Sequence, residues 1–204
     1  MTVREELLVL REKIDSCQRC DLYKLANHSV PGEGNVETKI VFVGEAPGFY
    51  EDAQGRPFVG NAGKLLNLLL TKVGLVREDV FITNVIKHRP PENRDPNPGE
   101  VAACTFWLEQ QLAAISPKVL VTLGKWSLNY FLPTKKISQI HGVPTKVKNM
   151  VVLPMYHPAA ALRNLKIARE LEGDFLKNKD ILQNPNTAGD LGGRSEEGGQ
   201  QSLF

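Results

Sequence analysis

Apolar and polar positions follow two different periodicities along this chain, and the changes between them mark out strands and helices. Continuous apolar runs of four to seven residues are typical of buried parallel strands. They occupy residues 39–44, 80–86, 118–123 and 150–155. Helical patterns occupy residues 2–15, 62–73, 100–115, 124–131 and 159–177. Because strand and helix alternate, we expect an α/β domain with a mostly parallel four-stranded sheet covered by helices on both faces.

Polar side chains stand where the predicted strands end. Glu45 follows the first strand, with Glu51 and Asp52 in the glycine-rich loop beyond it, Asn84 belongs to the end of the second, and His157 follows the last. Open parallel sheets bind their ligands beyond the carboxyl ends of the strands. We therefore expect these side chains to converge on one cleft.

Composition restricts the class of protein more than its function. The 204 residues are 42% hydrophobic and 24% charged, which fits one globular domain over residues 1–182. A net charge of +2 is too small to indicate a nucleic-acid partner. No apolar stretch approaches the roughly 20 residues that span a bilayer, and the N-terminus is too charged for a signal peptide. We expect a cytoplasmic monomer with no membrane contact.

The end of the chain has a different composition from the domain. Residues 183–204 are rich in glycine and in small or polar residues, and such a segment cannot bury a core, so we expect it to be disordered. It ends, however, in Gln-Gln-Ser-Leu-Phe, with two adjacent apolar residues. This ending is either a short linear motif or a chance sequence.

Three cysteines and one histidine have a spacing that suits metal binding. Cys17 and Cys20 form a C-x-x-C pair, Cys104 stands alone, and His88 precedes Cys104 by sixteen positions. Three thiols and an imidazole make a plausible four-ligand set that would attach the N-terminus to the body of the domain. A C-x-x-C pair by itself is shared by redox pairs and zinc knuckles.

Several longer motifs follow one another along the chain. They are GEAPG at 44–48, ED at 51–52, GRPFVG at 55–60, ITNVIK at 82–87, RPPENR at 89–94, HPAA at 157–160 and LR at 162–163. Together these motifs resemble family 4 of the uracil-DNA glycosylases. Motifs of this length in one order are far more specific than a single short pattern. The resemblance implies a three-layer α/β/α sandwich and a DNA repair enzyme. That enzyme would hydrolyse the N-glycosidic bond of deoxyuridine, release uracil and leave an abasic site.

The resemblance also implies a [4Fe–4S] cluster held by four cysteines. Cys17, Cys20 and Cys104 match three of those positions, and His88 stands where the family usually has the fourth cysteine. Imidazole replaces thiolate on one iron of Rieske centres, so His88 is a reasonable ligand. A three-iron cluster and a zinc site of the Cys₃His type are the alternatives.

Residue roles follow from the same resemblance. In the base pocket it implies substrate binding by Gly44, Ala46, Phe58 and Asn84. Phe58 would stack on the base and the Asn84 amide would read uracil, while backbone N–H groups of the turn from Gly44 would add donors. His157 would donate a hydrogen bond to uracil O2 as its negative charge develops.

The sugar cation formed by bond cleavage needs a carboxylate and a water molecule. By resemblance to the family, Glu51 would take that catalytic role and His157 would be the other catalytic residue. Glu45 and Asp52 are the competing carboxylates. The alternative function is a protein that captures uracil-DNA, covalently or not, without turnover. A covalent uracil-trapping relative carries an extra basic loop, and the run from His88 to Cys104 contains no such insertion.

The implied partner is uracil-containing DNA, single- or double-stranded. Leu162 is the expected wedge in the gap left by the extruded base, and Arg163 the expected phosphate contact. Lys87, Arg89 and Arg94 are further candidates for phosphate binding. The terminal residues 200–204 resemble the pentapeptide by which bacterial repair proteins bind the replication sliding clamp.

Overall fold

The protein is built around one twisted sheet, seen in a computed structural model that describes residues 1–190. The strands are β1 (Glu33–Gly34), β2 (Ile40–Gly44), β3 (Phe81–Asn84), β4 (Val119–Leu123), β5 (Thr145–Val147) and β6 (Met150–Met155). They lie in the order β1-β3-β2-β4-β6-β5. The central strands β3, β2, β4 and β6 run parallel, and β1 and β5 are antiparallel edge strands.

The parallel part of the sheet confirms the strands predicted from the sequence, and the edge strands are additions to it. β1 is two residues long and includes Gly34, and β5 is three residues long with the exposed Lys146 at its centre. Strands this short carry no readable alternation, because their pairing depends on the neighbouring strand. Within residues 1–190, the mostly parallel sheet thus has six strands rather than four.

Helices cover both faces, so the predicted three-layer α/β/α sandwich is confirmed. The helices are α1 (Val3–Asp15), α2 (Phe49–Gln54), α3 (Asn61–Lys72), α4 (Pro98–Ile115), α5 (Lys125–Phe131), α6 (Ile137–Ile140), α7 (Pro158–Ala161), α8 (Leu165–Lys177) and α9 (Lys179–Gln183). Side chains of α1, α4 and α5 pack on one face of the sheet, and those of α3, α8 and α9 on the other. Among residues 1–190, no helix has the length and apolar character needed to cross a membrane.

The central strand β2 shows how one apolar run serves two cores. Val41 and Val43 pack under α1 and α4, whereas Ile40 and Phe42 face the opposite layer. The Phe42 ring stacks on Phe175 of α8, with ring centroids 6.2 Å apart. Successive side chains of a strand point to opposite faces, so a strand buried on both faces is apolar at every position.

Two helical segments differ from the sequence prediction. The glycine-rich stretch after β2 contains α2, whose six residues are too few and too polar to show a helical period. The single helix predicted for residues 159–177 is broken into α7 and α8. Asn164 causes the restart, because its side chain accepts a hydrogen bond from the Lys166 N–H at 2.9 Å and so caps α8.

The described chain continues past the predicted domain boundary at residue 182, which lies inside α9. Residues Pro185–Asp190 form a short 3₁₀ helix, and Ala188 is buried against the core beneath α3 and α8. The terminal motif at residues 200–204 lies outside the described residues.

Candidate active site

A cavity of about 650 Å³ opens beyond the carboxyl ends of the parallel strands. The chain passes from β2 to β3 on one side and later returns to β4 on the other, and such a switch point is where open α/β sheets bind ligands. The side chains of interest that line the cavity are Glu45, Ala46, Glu51, Phe58, Asn84, His157 and Arg163. Asp52 is absent from that lining, so the structure brings together four of the five polar side chains expected to converge.

The inner wall is formed by close packing around Gly44. Gly44 is paired with Asn84 across β2 and β3. A Cβ on Gly44 would lie 2.3 Å from Asn84 Oδ1 and 2.7 Å from the Phe58 ring, so any larger residue would displace both. In the described part of the chain, Asn84 Oδ1 is buried and has no hydrogen-bond partner. A buried acceptor left unpaired is costly, and it indicates a place for a donor from a ligand.

Phe58 is held at the cavity by a contact that the sequence pattern did not reveal. Its backbone has φ 51°, a left-handed conformation that is unfavourable for a bulky residue. The guanidinium of Arg77 donates to the carbonyl of Phe58 at 3.0 Å and to that of Pro57, and it also binds Glu33 of β1 at 2.6 Å. Gly63 completes the fit, because a Cβ there would lie 1.7 Å from the Phe58 carbonyl oxygen.

His157 enters the cavity as the residue that begins α7. Its Nδ1 accepts a hydrogen bond from the Ala159 N–H at 3.1 Å, so in the neutral ring the proton resides on Nε2. Burial lowers the pKa of His157 to about 4, against the opposing effect of nearby Glu51. The imidazole ring lies near that of Phe58, with centroids 5.6 Å apart. The site therefore contains a neutral imidazole whose N–H donor is at Nε2.

The three candidate carboxylates have different environments. Glu51 Oε1 accepts the N–H groups of Val59 and Gly60, each at 2.9 Å, and so fixes the turn beside Phe58. Glu45 stands in the cavity, where burial raises its pKa to about 7, Asp95 adds to the rise and Lys125 opposes it.

Asp52 has a structural environment instead. It is 1% exposed and accepts hydrogen bonds from the backbone and side chain of Asn27 at 2.9 and 2.5 Å. A third bond comes from the His28 N–H at 3.4 Å. Asp52 thereby anchors the segment that follows the C-x-x-C turn onto α2, away from the cavity.

The predicted DNA-contacting residues lie on the outer rim. Leu162, where α7 ends, is 53% exposed, and the exposed Arg163 lines the cavity. Leu165 at the start of α8 is also exposed, next to Lys166. An exposed apolar side chain beside basic groups suits a surface that binds an opened DNA strand.

Lys87 corrects one expectation, because it is fully buried and cannot contact a phosphate. Its Nζ donates to Thr83 Oγ1 at 2.8 Å, to the Asn84 carbonyl at 2.7 Å and to Gln111 Oε1 at 2.7 Å. These three acceptors match the three N–H donors of an ammonium group, while burial lowers the pKa of Lys87 to about 7. Lysine is exposed in most proteins, so this role could not be predicted from the sequence.

The three cysteines are brought together near the N-terminus. Cys17 and Cys20 follow α1, and Cys104 lies buried in α4, where burial raises its pKa to about 11 and the other two thiols add to the rise. The Lys87 N–H donates to Cys104 Sγ and the indole N–H of Trp107 to Cys17 Sγ, each at 3.1 Å. Hydrogen bonds to cysteine sulfur are typical of iron–sulfur ligands, so this donor set fits a cluster.

His88 lies next to this group of cysteines. It is buried and lines a second cavity, of about 390 Å³, with Cys17, Asp15 and His28. Burial lowers its pKa, against the effects of Asp52 and Asp15. Within residues 1–190, no three histidine, cysteine or acidic side chains already stand in a coordinating arrangement.

Comparison with known proteins identifies the family. A family model for the uracil DNA glycosylase superfamily matches residues 31–178. The chain is 48% identical over 178 residues to a type-4 uracil-DNA glycosylase of Archaeoglobus fulgidus, covering 83% of this chain and 89% of that protein. It is 47% identical over 189 residues to the Thermotoga maritima type-4 enzyme, covering 90% and 98%. The chain belongs to the uracil-DNA glycosylase superfamily, and it is similar to type-4 uracil-DNA glycosylases over most of its length.

Proposed function

We propose that this protein is a monofunctional uracil-DNA glycosylase, which hydrolyses the bond between uracil and deoxyribose in DNA. The single observation that carries the proposal is the buried, unpaired Asn84 Oδ1 in a cavity shared with Phe58 and the neutral His157. A flipped uracil supplies the missing donor, because its N3–H pairs with Oδ1 while its O4 accepts from the amide N–H₂. Cytosine presents the opposite pattern and leaves both groups badly paired.

His157 accounts for the departure of the base. Cleavage of the C1′–N1 bond leaves both bonding electrons on uracil, and the negative charge collects at O2. The Nε2–H of His157 donates to that oxygen, and the imidazole needs no protonation to do so. The cation remaining on the sugar is attacked by water, which releases a proton and gives the abasic site.

A carboxylate orients that water, and we assign this role to Glu51. Its Oε1 is occupied by two backbone N–H groups, while Oε2 lies on the side of Gly48 at the cavity. The Glu51→Gln variant keeps an oxygen for both backbone bonds, so it is expected to fold normally and to release uracil about a hundredfold more slowly. A rate equal to that of the unaltered protein would reassign the role.

Glu45 is expected to give the reaction its pH dependence. Since its pKa is raised to about 7, the carboxylate form increases as pH rises through neutrality and adds negative charge beside the sugar cation. The single-turnover rate should therefore rise between about pH 6 and 8, and Glu45→Gln should flatten this rise. A profile unchanged in Glu45→Gln would exclude Glu45 as the titrating group.

The function is tested with a labelled oligonucleotide that contains one deoxyuridine. Strand breakage that appears only after hot alkali is the expected result, because monofunctional excision leaves an alkali-labile abasic site. A slower band that survives denaturant would indicate covalent capture instead. Intact, unshifted DNA would contradict the proposal, and an oligonucleotide with cytosine at the same position is the control.

For the metal, we propose a [4Fe–4S] cluster held by Cys17, Cys20 and Cys104, with His88 as the fourth ligand. The cluster would supply a structural link, since base excision transfers no electrons. The N–H donors to Cys17 Sγ and Cys104 Sγ support two of the three cysteine ligands. Iron and acid-labile sulfide should be present in about four equivalents each per protein chain. Zinc would indicate the Cys₃His zinc site instead, and three equivalents of iron would indicate the three-iron cluster. His88→Cys should retain four irons with an altered absorbance spectrum.

Two further proposals rest on the sequence. The residues at 200–204 would bind the replication sliding clamp, and a chain truncated after residue 190 should lose co-elution with that clamp while keeping its excision rate.

We also propose that the protein acts as a cytoplasmic monomer on chromosomal DNA. A mass measurement in solution would check whether it is a monomer.

A further inference from the structure

Two adjoining aromatic side chains are exposed at the start of α2, and neither of them lines the active-site cavity. Phe49 is 59% exposed and Tyr50 is 56% exposed. Their rings pack edge to face, with centroids 5.4 Å apart. Large apolar side chains that are exposed to water next to each other are energetically unfavourable. In a functional region, such a pair is typical of a binding surface.

This aromatic pair lies on the rim of the candidate active site. Gly48, which precedes Phe49, and Glu51, which follows Tyr50, both line the cavity. Tyr50 also lies against the turn that carries Phe58, because a Cβ on Gly60 would be 3.2 Å from its ring. A strand that enters the cavity on the side of Gly48 and Glu51 therefore passes close to these two rings.

A guanidinium group completes this surface. The Arg89 Cζ atom lies 5.3 Å from the centroid of the Phe49 ring, a cation–π arrangement. Its Nε donates to Asn93 Oδ1 at 2.8 Å, which fixes the side chain, and Asn93 lines the same cavity. An exposed aromatic ring beside a fixed positive charge combines the two features with which proteins bind single-stranded nucleic acid.

We propose that Phe49, with Arg89, forms a stacking subsite for the nucleobase next to the extruded uracil on the same strand. This inference rests on the proposed function, since DNA is the ligand of the cavity. The π-face of Phe49 stacks on any base, whereas the guanidinium attracts the adjoining phosphate. The neighbouring base must leave the duplex stack to reach Phe49, so the subsite favours single-stranded or locally opened DNA.

The test measures binding directly, so that it does not depend on catalysis. The probes are short fluorescein-labelled single strands with 2′-fluoro-2′-deoxyuridine, whose fluorine resists formation of the sugar cation. Matched strands carry an abasic analogue immediately 5′ or 3′ of that nucleotide. Anisotropy titrations compare the unaltered protein with Phe49→Ala, Phe49→Trp and the control Leu68→Ala, which removes a 53% exposed apolar side chain from α3.

Loss of the neighbouring base on one side should weaken binding by the unaltered protein about tenfold. Phe49→Ala should bind the complete strand about tenfold more weakly, yet show no further loss with the abasic strand, because the two changes remove the same contact. Phe49→Trp and Leu68→Ala should retain the affinity and its dependence on the neighbouring base.

Three results would overturn the subsite. The first is that Phe49→Ala binds the complete strand within about twofold of the unaltered protein. The second is that the loss of affinity from Phe49→Ala and the loss from the abasic strand multiply when the two are combined. The third is that the unaltered protein binds all strands equally. Excision of ordinary deoxyuridine is assayed separately on the same preparations. If the affinity losses from Phe49→Ala and from the abasic strand overlap as expected but no uracil is released, only the glycosylase proposal is contradicted. If uracil is released but the two losses do not overlap, only the subsite is contradicted.

Discussion

His157→Asn is expected to reduce the single-turnover rate of uracil release by about a thousandfold while leaving the fold intact. Asparagine caps helices well, and its side-chain oxygen can accept the Ala159 N–H that Nδ1 accepts now. It is too short, however, to place a donor where Nε2–H meets uracil O2, and the loss of one such donor costs about 10²–10³ in rate. Quenched-flow measurement with protein in excess over the deoxyuridine strand gives this rate.

His157→Ala is the matched comparison, because it removes both the donor and the cap. It should be as slow as His157→Asn and, in addition, less stable to denaturant by about 1 kcal/mol. The pKa of His157 is lowered in the folded protein, so its contribution to stability is present above the ordinary histidine pKa and is lost as pH falls towards 4. Both variants should therefore lose less stability in acid than the unaltered protein. A His157→Asn rate within about tenfold of the unaltered protein would contradict the assigned role.

Lys87→Met is expected to give the largest change in stability, lowering the free energy of unfolding by about 3 kcal/mol. Methionine fills a similar volume but leaves Thr83 Oγ1, Gln111 Oε1 and the Asn84 carbonyl without their donor, in a place that water does not reach. Each buried polar group left unpaired costs about 1–3 kcal/mol. Urea denaturation of the metal-loaded protein measures the change.

Lys166→Met makes the same chemical change on an 82% exposed side chain, and it should alter stability by less than about 0.5 kcal/mol. The two variants together separate the loss of the buried hydrogen bonds from a general effect of removing one positive charge. Lys87→Met should also excise uracil with weaker discrimination against cytosine, because the Asn84 carbonyl loses the hydrogen bond that it accepts from Lys87 Nζ. Stability of Lys87→Met equal to that of Lys166→Met would show that the buried network contributes little.

The sequence predicted the parts of the fold that are specified locally. The strands β2, β4 and β6 are buried on both faces, so their apolar runs could be read directly. The edge strand β1 could not, because Glu33 and Gly34 become a strand only by pairing with Ile82 and Phe81. The break between α7 and α8 depends on one capping side chain, that of Asn164, within an otherwise helical pattern.

The candidate site likewise contains some features that could be predicted from the sequence and others that could not. His157 and Asn84 could be placed because the ends of parallel strands meet at one edge of a sheet. The contact of Arg77 with Phe58 could not, since it joins a 3₁₀ turn before β3 to the turn after α2 through backbone carbonyls that no motif encodes. Lys87 was misjudged for a related reason, because charge alone does not show whether a lysine has buried acceptors waiting for it.

The order of the strands has a consequence for synthesis of the protein on the ribosome. The apolar β2 emerges early, yet Ile40 finds its partner Val119 only after roughly eighty more residues have been made. Until then one long edge of β2 is bare, and exposed apolar strand edges attract other nascent chains. His157, in turn, reaches the cavity only when β6 has paired with β4. The growing chain therefore has an unpaired β2 edge while those roughly eighty residues are made, and it becomes competent for base recognition only after β6 has been made.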